Sequence, residues 1–137
     1  VMSVDAITMG LIPRYAKSAS IVAITDIYVD KPNQRFASYC AAKSALQNLC
    51  LSYSQRLAPN IRVNIIQPGP IQFLTQHSED YREKVLSQSL LKRELGYGAI
   101  LQAAEYLHQA QGVTGAILKV DGGRANANHY EQSFSVN

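Results

Sequence analysis

Three short apolar runs punctuate the chain, and between them apolar residues recur at helical steps. Residues 20–25 (SIVAIT) form a β-branched run of the kind that makes a strand buried on both faces. Residues 61–66 (IRVNII) and 116–120 (AILKV) read as two further short strands. From Phe36 to about Leu57 the pattern turns helical, with Ala42, Leu46, Leu49, Cys50, Tyr53 and Leu57 at three- and four-residue steps. Ala58-Pro59-Asn60 stops that helix. Residues 78–92 and 97–109 predict two more helices, the second with Ile100, Ala103, Ala104 and Leu107 on one face. In residues 1–17, Val1, Val4, Ile7, Leu11 and Ile12 suggest an amphipathic helix, which Gly10 and Pro13 weaken. Residues 26–35 read as a polar loop, and Gln67-Pro68-Gly69-Pro70 breaks the regular structure after the second strand. From Arg124 the sequence is polar and aperiodic, so residues 125–137 are expected to form a flexible tail.

Strand, helix, strand, helices, strand is the order of a parallel α/β sheet. A length of 137 residues fits one domain. Three strands make a small sheet of this kind and leave an edge that needs a partner.

Composition narrows the function classes. Thirteen basic against ten acidic side chains give a net charge of +3. No Lys/Arg cluster concentrates that charge, so neither nucleic acid nor an anionic membrane is implied as a partner. No apolar run approaches the roughly 18 residues of a membrane span, and no signal peptide opens the sequence. Cys40 and Cys50 lie ten positions apart in one helical stretch, too far along its axis for a disulfide. His77, His108 and His129 are scattered, with no metal-ligand spacing. These features predict a cytoplasmic protein with reduced thiols.

Tyr39-Cys40-Ala41-Ala42-Lys43 places a phenol and an ammonium four positions apart near the start of the long helix, on one face. At about 4 Å and an effective dielectric near 20, their attraction would be on the order of 4 kcal/mol. At about 1.4 kcal/mol per pKa unit, the phenol would be drawn from about 10 towards neutrality and become a usable general acid. Alone, such a pair arises by chance in many helices. Thirteen residues before Tyr39 lies Asp26, at the end of the first strand. By itself Asp26 reads equally well as a turn or cap residue. Thr25, the nearest hydroxyl, would point to the other side of the strand.

The ordered set of Tyr39 and Lys43 after a buried strand, Leu57 to Asn64 at the helix end, Pro68-Gly69 after the next strand, Val113-Thr114-Gly115 and Val120-Asp121-Gly122-Gly123 resembles the short-chain dehydrogenase/reductase family over about residues 20–124. The resemblance implies the C-terminal half of a doubly wound, parallel-sheet Rossmann fold. It makes Tyr39 the proton donor and gives Lys43 the tasks of lowering its pKa and holding the nicotinamide ribose. Pro68, Gly69 and the backbone near Ile71 would face the nicotinamide, at the carboxyl ends of the strands. The family's Thr after Pro-Gly comes late here, as Thr75, and no cofactor role is carried over to it. Nor is the role of the family's helical Asn carried over to Asp5, which differs in type and lies too near Asp26. The family also implies a homo-oligomer, dimer or tetramer, paired through the Tyr-Lys helix and through the last strand with its preceding helix.

Where the family usually has serine, Asp26 is similar to the aspartate of pteridine reductases. The likeness is closest to the bacterial dihydromonapterin reductases, through Ile24-Thr25-Asp26, Tyr39 to Leu46, Gln88 to Lys92 and Asp121 to Arg124, with Pro68-Gly69 where some of these relatives have Pro-Ser. It implies reduction of a dihydropterin, with a hydride to C6 and a proton to N5. A carboxylate suits the amino-pyrimidine edge of a pterin, which presents paired donors and acceptors. Two other readings stay open: reduction of a carbonyl compound or alcohol oxidation, with Asp26 incidental, and a non-catalytic remnant serving as an assembly or binding module. The family's glycine-rich phosphate-binding turn and the rest of the N-terminal nucleotide-binding half are absent from the sequence. So are the residues that choose between cofactors; NADPH follows from the pteridine-reductase likeness, and NADH stays open.

Overall fold

A computed structural model describes residues 1–11 and 18–127 of the chain. Helix α1 (Met2–Leu11) leads to strand β1 (Ala19–Ile24), helix α2 (Ala37–Arg56), strand β2 (Ile61–Pro68), helices α3 (Glu79–Ser87) and α4 (Tyr97–Gln109), and strand β3 (Ile117–Val120). Short 3-10 turns occupy Ile27–Val29, Gln34–Phe36 and Arg124–Asn126. The strands form one parallel sheet in the order β1-β2-β3. A parallel sheet with helices on both faces is the arrangement of a doubly wound α/β fold.

The central strand organises the core through its two-residue period. Ile61, Val63 and Ile65 pack with Cys50 and Tyr53 of α2 and with Met9 of α1. Ile66, on the opposite face, packs with Ala103 and Leu107 of α4 and with Val22, Leu118 and Val120 of the flanking strands. The sheet therefore carries α1 and α2 on one face and α4 on the other, the layering that α/β order predicts.

At the amino ends of β2 and β3 the polar groups bond one another. The Arg62 guanidinium donates to the carbonyls of Leu107 (2.8 Å), His108 (2.7 Å), Ala110 (2.9 Å) and Val113 (3.2 Å), closing the C-terminal end of α4. Asn64 donates to Val113 O at 2.9 Å and accepts from Ala116 N at 3.0 Å, and Val63 N donates to the Thr114 hydroxyl at 3.1 Å.

Three expectations need correction. β1 was expected to be buried on both faces, yet all but one of its residues are half-buried and Ile24 is exposed, because the strand forms an edge of the sheet. β2 runs on through Gln67 and Pro68, which pair with Lys119 and Val120; a proline at the last position of a strand removes little from the ladder. The helix expected over 78–92 ends at Ser87. There the Arg124 guanidinium takes the Val85 carbonyl at 2.8 Å, and Lys92 adopts a left-handed backbone (φ 48°). At the start of the segment expected to form a tail, Ala125 N donates to Asp121 at 2.7 Å within the last 3-10 turn. The remainder of that segment, 128–137, and the predicted helix positions beyond Leu11 lie outside the described residues.

Candidate active site

The carboxyl ends of the three strands and the start of α2 bring together Asp26, Tyr39 and Lys43. Asp26 stands in extended backbone just past β1, where its Oδ1 caps the following turn by accepting from Tyr28 N at 2.8 Å. Its Oδ2 accepts from the Tyr39 hydroxyl at 2.8 Å. The side chain thus serves both as cap and as partner of the phenol. Thr25 turns the other way: it is buried and donates to Ile66 O at 3.3 Å.

Lys43 lies one turn beyond Tyr39 on α2. Its ammonium donates to Ile24 O at 3.2 Å and sits 5.7 Å from the centre of the Tyr39 ring. The phenol oxygen therefore has a carboxylate as its partner and not the ammonium. Partial burial, then the hydrogen bond to Asp26 and the negative charge of that carboxylate, push the Tyr39 pKa up from 10 to about 12. This overturns the expectation that Lys43 draws the phenol towards neutrality. In the chain as described, Tyr39 holds its proton across the neutral range and donates it in a hydrogen bond to Asp26.

Pro68 and Gly69 lie at the carboxyl end of β2, the same end of the sheet as Asp26. A Cβ on Gly69 would stand 2.7 Å from Asp121 Cβ and 2.9 Å from its Cα, so only glycine lets the two strand ends close on each other. Asp121 is buried and holds the turn after β3, accepting from Gly123 N at 2.9 Å and Ala125 N at 2.7 Å. Ile71 is buried; its carbonyl accepts from Gly96 N at 2.8 Å, while its N–H has no partner among the described residues. Thr75 is exposed in a turn.

Sequence reasoning missed several long-range ties in and beyond this site. The Lys119 ammonium meets Asp30 at 2.7 Å, linking β3 to the turn after β1. Arg124 bonds Val85 O and Gln88, fastening the turn after β3 to α3. Asp5 on α1 accepts from the hydroxyl of buried Tyr53 on α2, and that bond, with burial, pushes the Tyr53 pKa up. Among the described residues there is no cluster of three or more His, Cys, Asp or Glu fit for a metal, and no helix long and apolar enough to cross a membrane.

The family model described as enoyl-(acyl carrier protein) reductase matches residues 1–125. The chain belongs to the short-chain dehydrogenase/reductase family. Among curated members it is similar to the dihydromonapterin reductase of Klebsiella pneumoniae, 37% identical over 107 residues that cover 78% of this chain and 45% of that protein. The Escherichia coli O6:K15:H31 dihydromonapterin reductase is 35% identical over the same extent. The chain thus spans about half the length of the curated relatives it matches. Among solved members of the family, FolM alternative dihydrofolate reductase 1 from Brucella suis, in complex with NADP, superposes with a TM-score of 0.81 at 29% identity, covering 90% of this chain and 51% of that one. A glucose/ribitol dehydrogenase of the family from Brucella melitensis gives 0.81 at 26% identity over the same shares.

Proposed function

We propose that the full-length protein reduces a dihydropterin to its tetrahydro form with NADPH, and that Asp26, Tyr39 and Lys43 carry the reaction. The observation that carries this reading is the 2.8 Å hydrogen bond from the Tyr39 hydroxyl to Asp26. An ordinary carbonyl reduction needs only a hydroxyl donor at this place. A carboxylate bonded to the phenol serves a substrate that has a basic ring nitrogen and an edge of paired donors and acceptors. The curated relatives named dihydromonapterin reductase and the NADP complex of the Brucella suis relative support the substrate class and the cofactor.

The residues present fit a nicotinamide. The partnerless N–H of Ile71, among the described residues, suits a carboxamide oxygen. Pro68 and Gly69 would face the nicotinamide ring, and Lys43 and Tyr39 would hold its ribose. When bound, NADPH supplies the hydride for C6. The chain's own part is to hold the pterin edge at Asp26 and to deliver the proton to N5 from the Tyr39–Asp26 pair. Lys43 offsets the negative charge left on that pair.

The segment by itself has no glycine-rich phosphate turn, so we expect no turnover from these 137 residues alone. Tight NADPH binding by the isolated segment in a calorimeter would refute that. The full-length protein is taken to work in the cytoplasm on a small molecule, as a dimer or tetramer. The exposed Tyr97, Leu101 and Tyr106 of α4 and Ile117 of β3 are the apolar surface such an assembly would cover; sedimentation as a clean monomer would count against it. The activity itself is tested by following NADPH oxidation with 7,8-dihydropterins and with simple ketones. Turnover confined to ketones would replace the pterin reading with that of a carbonyl reductase.

A further inference from the structure

On one face of β2 the two-residue period sets Ile61, Val63 and Ile65 against Cys50 and Tyr53 of α2. The next position in that series is Gln67, and it is not apolar. Gln67 is fully buried, and its Nε2 donates to Oε1 of Gln47 on α2 at 2.7 Å. Its own Oε1 is buried and has no partner among the described residues. The contact between α2 and β2 thus ends, on the side of the candidate site, in a hydrogen-bonded amide pair that the reaction proposed above does not use.

Stability does not account for this pair. A buried amide with one atom unpaired is penalised, and two apolar side chains of the same shape would join helix to strand as well or better. What the amides add is direction. Apolar contacts tolerate a small slide of the helix along the strand, whereas a 2.7 Å hydrogen bond holds both atoms to a narrow range of distance and angle. The place of the pair gives that direction a use. α2 joins two parallel strands and so runs back against β2. Lys43 stands four residues before Gln47, and Gly69 two residues after Gln67. Four helical residues advance about 6 Å and two strand residues about 6.6 Å. The next step towards the carboxyl end of the sheet therefore brings Lys43 and Gly69 to about the same level.

Resting on the cofactor site proposed above, we infer that Gln47 and Gln67 are a positioning pair. Their hydrogen bond fixes the register of α2 against β2. It thereby sets the separation of Lys43, which would hold the ribose, from Pro68 and Gly69, which would face the nicotinamide ring. Neither glutamine touches the cofactor; both act through the residues they hold in place.

The test uses the full-length protein, with NADPH and whichever dihydropterin or ketone the wild type reduces. Gln67→Leu replaces the buried amide by an apolar side chain of comparable size, and Gln47→Ala cuts the same bond from the half-buried helical side. Each is expected to raise KM for NADPH about tenfold, inside the roughly 10²-fold that a misplacement of about 1 Å can cost. The urea midpoint of Gln67→Leu should not fall. The double variant should show about the same rise in KM as either single one, because one bond is lost in all three. An active Gln47→Ala enzyme with an unchanged KM for NADPH overturns the inference, even where Gln67→Leu fails to fold. Rises that multiply in the double variant overturn it by making the two residues independent. A lowered urea midpoint with unchanged KM assigns the pair to stability alone and overturns it too. All three of these results leave the proposed function standing. A wild type that oxidises no NADPH with any dihydropterin or ketone removes the cofactor site, and the positioning pair with it.

Discussion

The two ends of the same parallel sheet handle polar groups in opposite ways. At the amino ends Arg62 spends its guanidinium on four carbonyls, and Asn64 and Thr114 close the remaining gaps. At the carboxyl ends Tyr39 is 44% exposed, Lys43 and Asp26 are half-buried, and each keeps hydrogen-bonding capacity beyond the bonds it makes. Both ends contain long-range hydrogen bonds, so neither is simply loose. The difference is that the amino ends of β2 and β3 pair these polar groups within the chain, whereas the carboxyl end leaves hydrogen-bonding capacity for something else. Polar side chains that are fully paired contribute stability; those held in place but partly unpaired are available for binding and proton transfer.

Mutations that separate the two ends test this contrast, and the largest effect is expected at the carboxyl end. In the full-length protein Tyr39→Phe should lower dihydropterin turnover by roughly 10²–10⁴-fold, the contribution of a lost general acid. Asp26→Asn keeps the shape and loses the charge, and should cost about 10²-fold. The double variant should lose much less than the product of the two, because the two residues are hydrogen-bonded and act as one unit. Steady-state kinetics at saturating cofactor measure all three, and unchanged kinetics for Asp26→Asn would sink the pterin assignment.

The amino end should respond in the other currency. Arg62→Ala leaves the last carbonyls of α4 without their donor and is expected to lower unfolding stability by about 2–3 kcal/mol, with kcat preserved in the folded fraction. Urea unfolding checks it, and a loss of kcat exceeding the loss of folded protein would show the two ends to be coupled. Gly69→Ala lies between these cases. Its methyl meets backbone and Cβ of Asp121 at under 3 Å, so the strand ends must part, at a cost of about 1–3 kcal/mol and with a raised KM for the cofactor.

The smallest effect is in pH. Tyr39 has a folded pKa raised above its unfolded value, from 10 to about 12. The unfolded chain therefore loses this proton first as pH rises. The stabilisation from the Tyr39–Asp26 bond is fully present below pH 10 and is lost between 10 and 12. Over that window unfolding stability should fall more steeply in the wild type than in Tyr39→Phe. Exposure of the pair to solvent keeps the difference small. Parallel slopes would mean that the hydrogen bond does not form.

Local pattern made much of this legible in advance. The ends of α2 and α4 were readable because apolar spacing and the Pro59 stop are local signals, and the meeting of Asp26 with Tyr39 and Lys43 followed from the order of strand, loop and helix. What failed depends on residues far apart in sequence. The end of α3 is set by Arg124, and Gly69 owes its identity to Asp121. The direction of the Tyr39 shift turns first on its partial burial and then on which neighbour reaches the phenol oxygen. Helical spacing put Lys43 on the right face, but the Ile24 carbonyl captures its ammonium. The half-exposure of β1 was invisible for the same reason: an apolar run reports what a strand is able to bury, not what lies against it.

Asp26 divides its two oxygens, one to the Tyr28 N–H and one to the Tyr39 hydroxyl. A serine at this place has a single oxygen. A hydroxyl oxygen can accept twice, but only at one point in space, so exchange of carboxylate for hydroxyl would require the Tyr28 N–H and the Tyr39 hydroxyl to converge on a single atom, where the carboxylate now lets them stand apart.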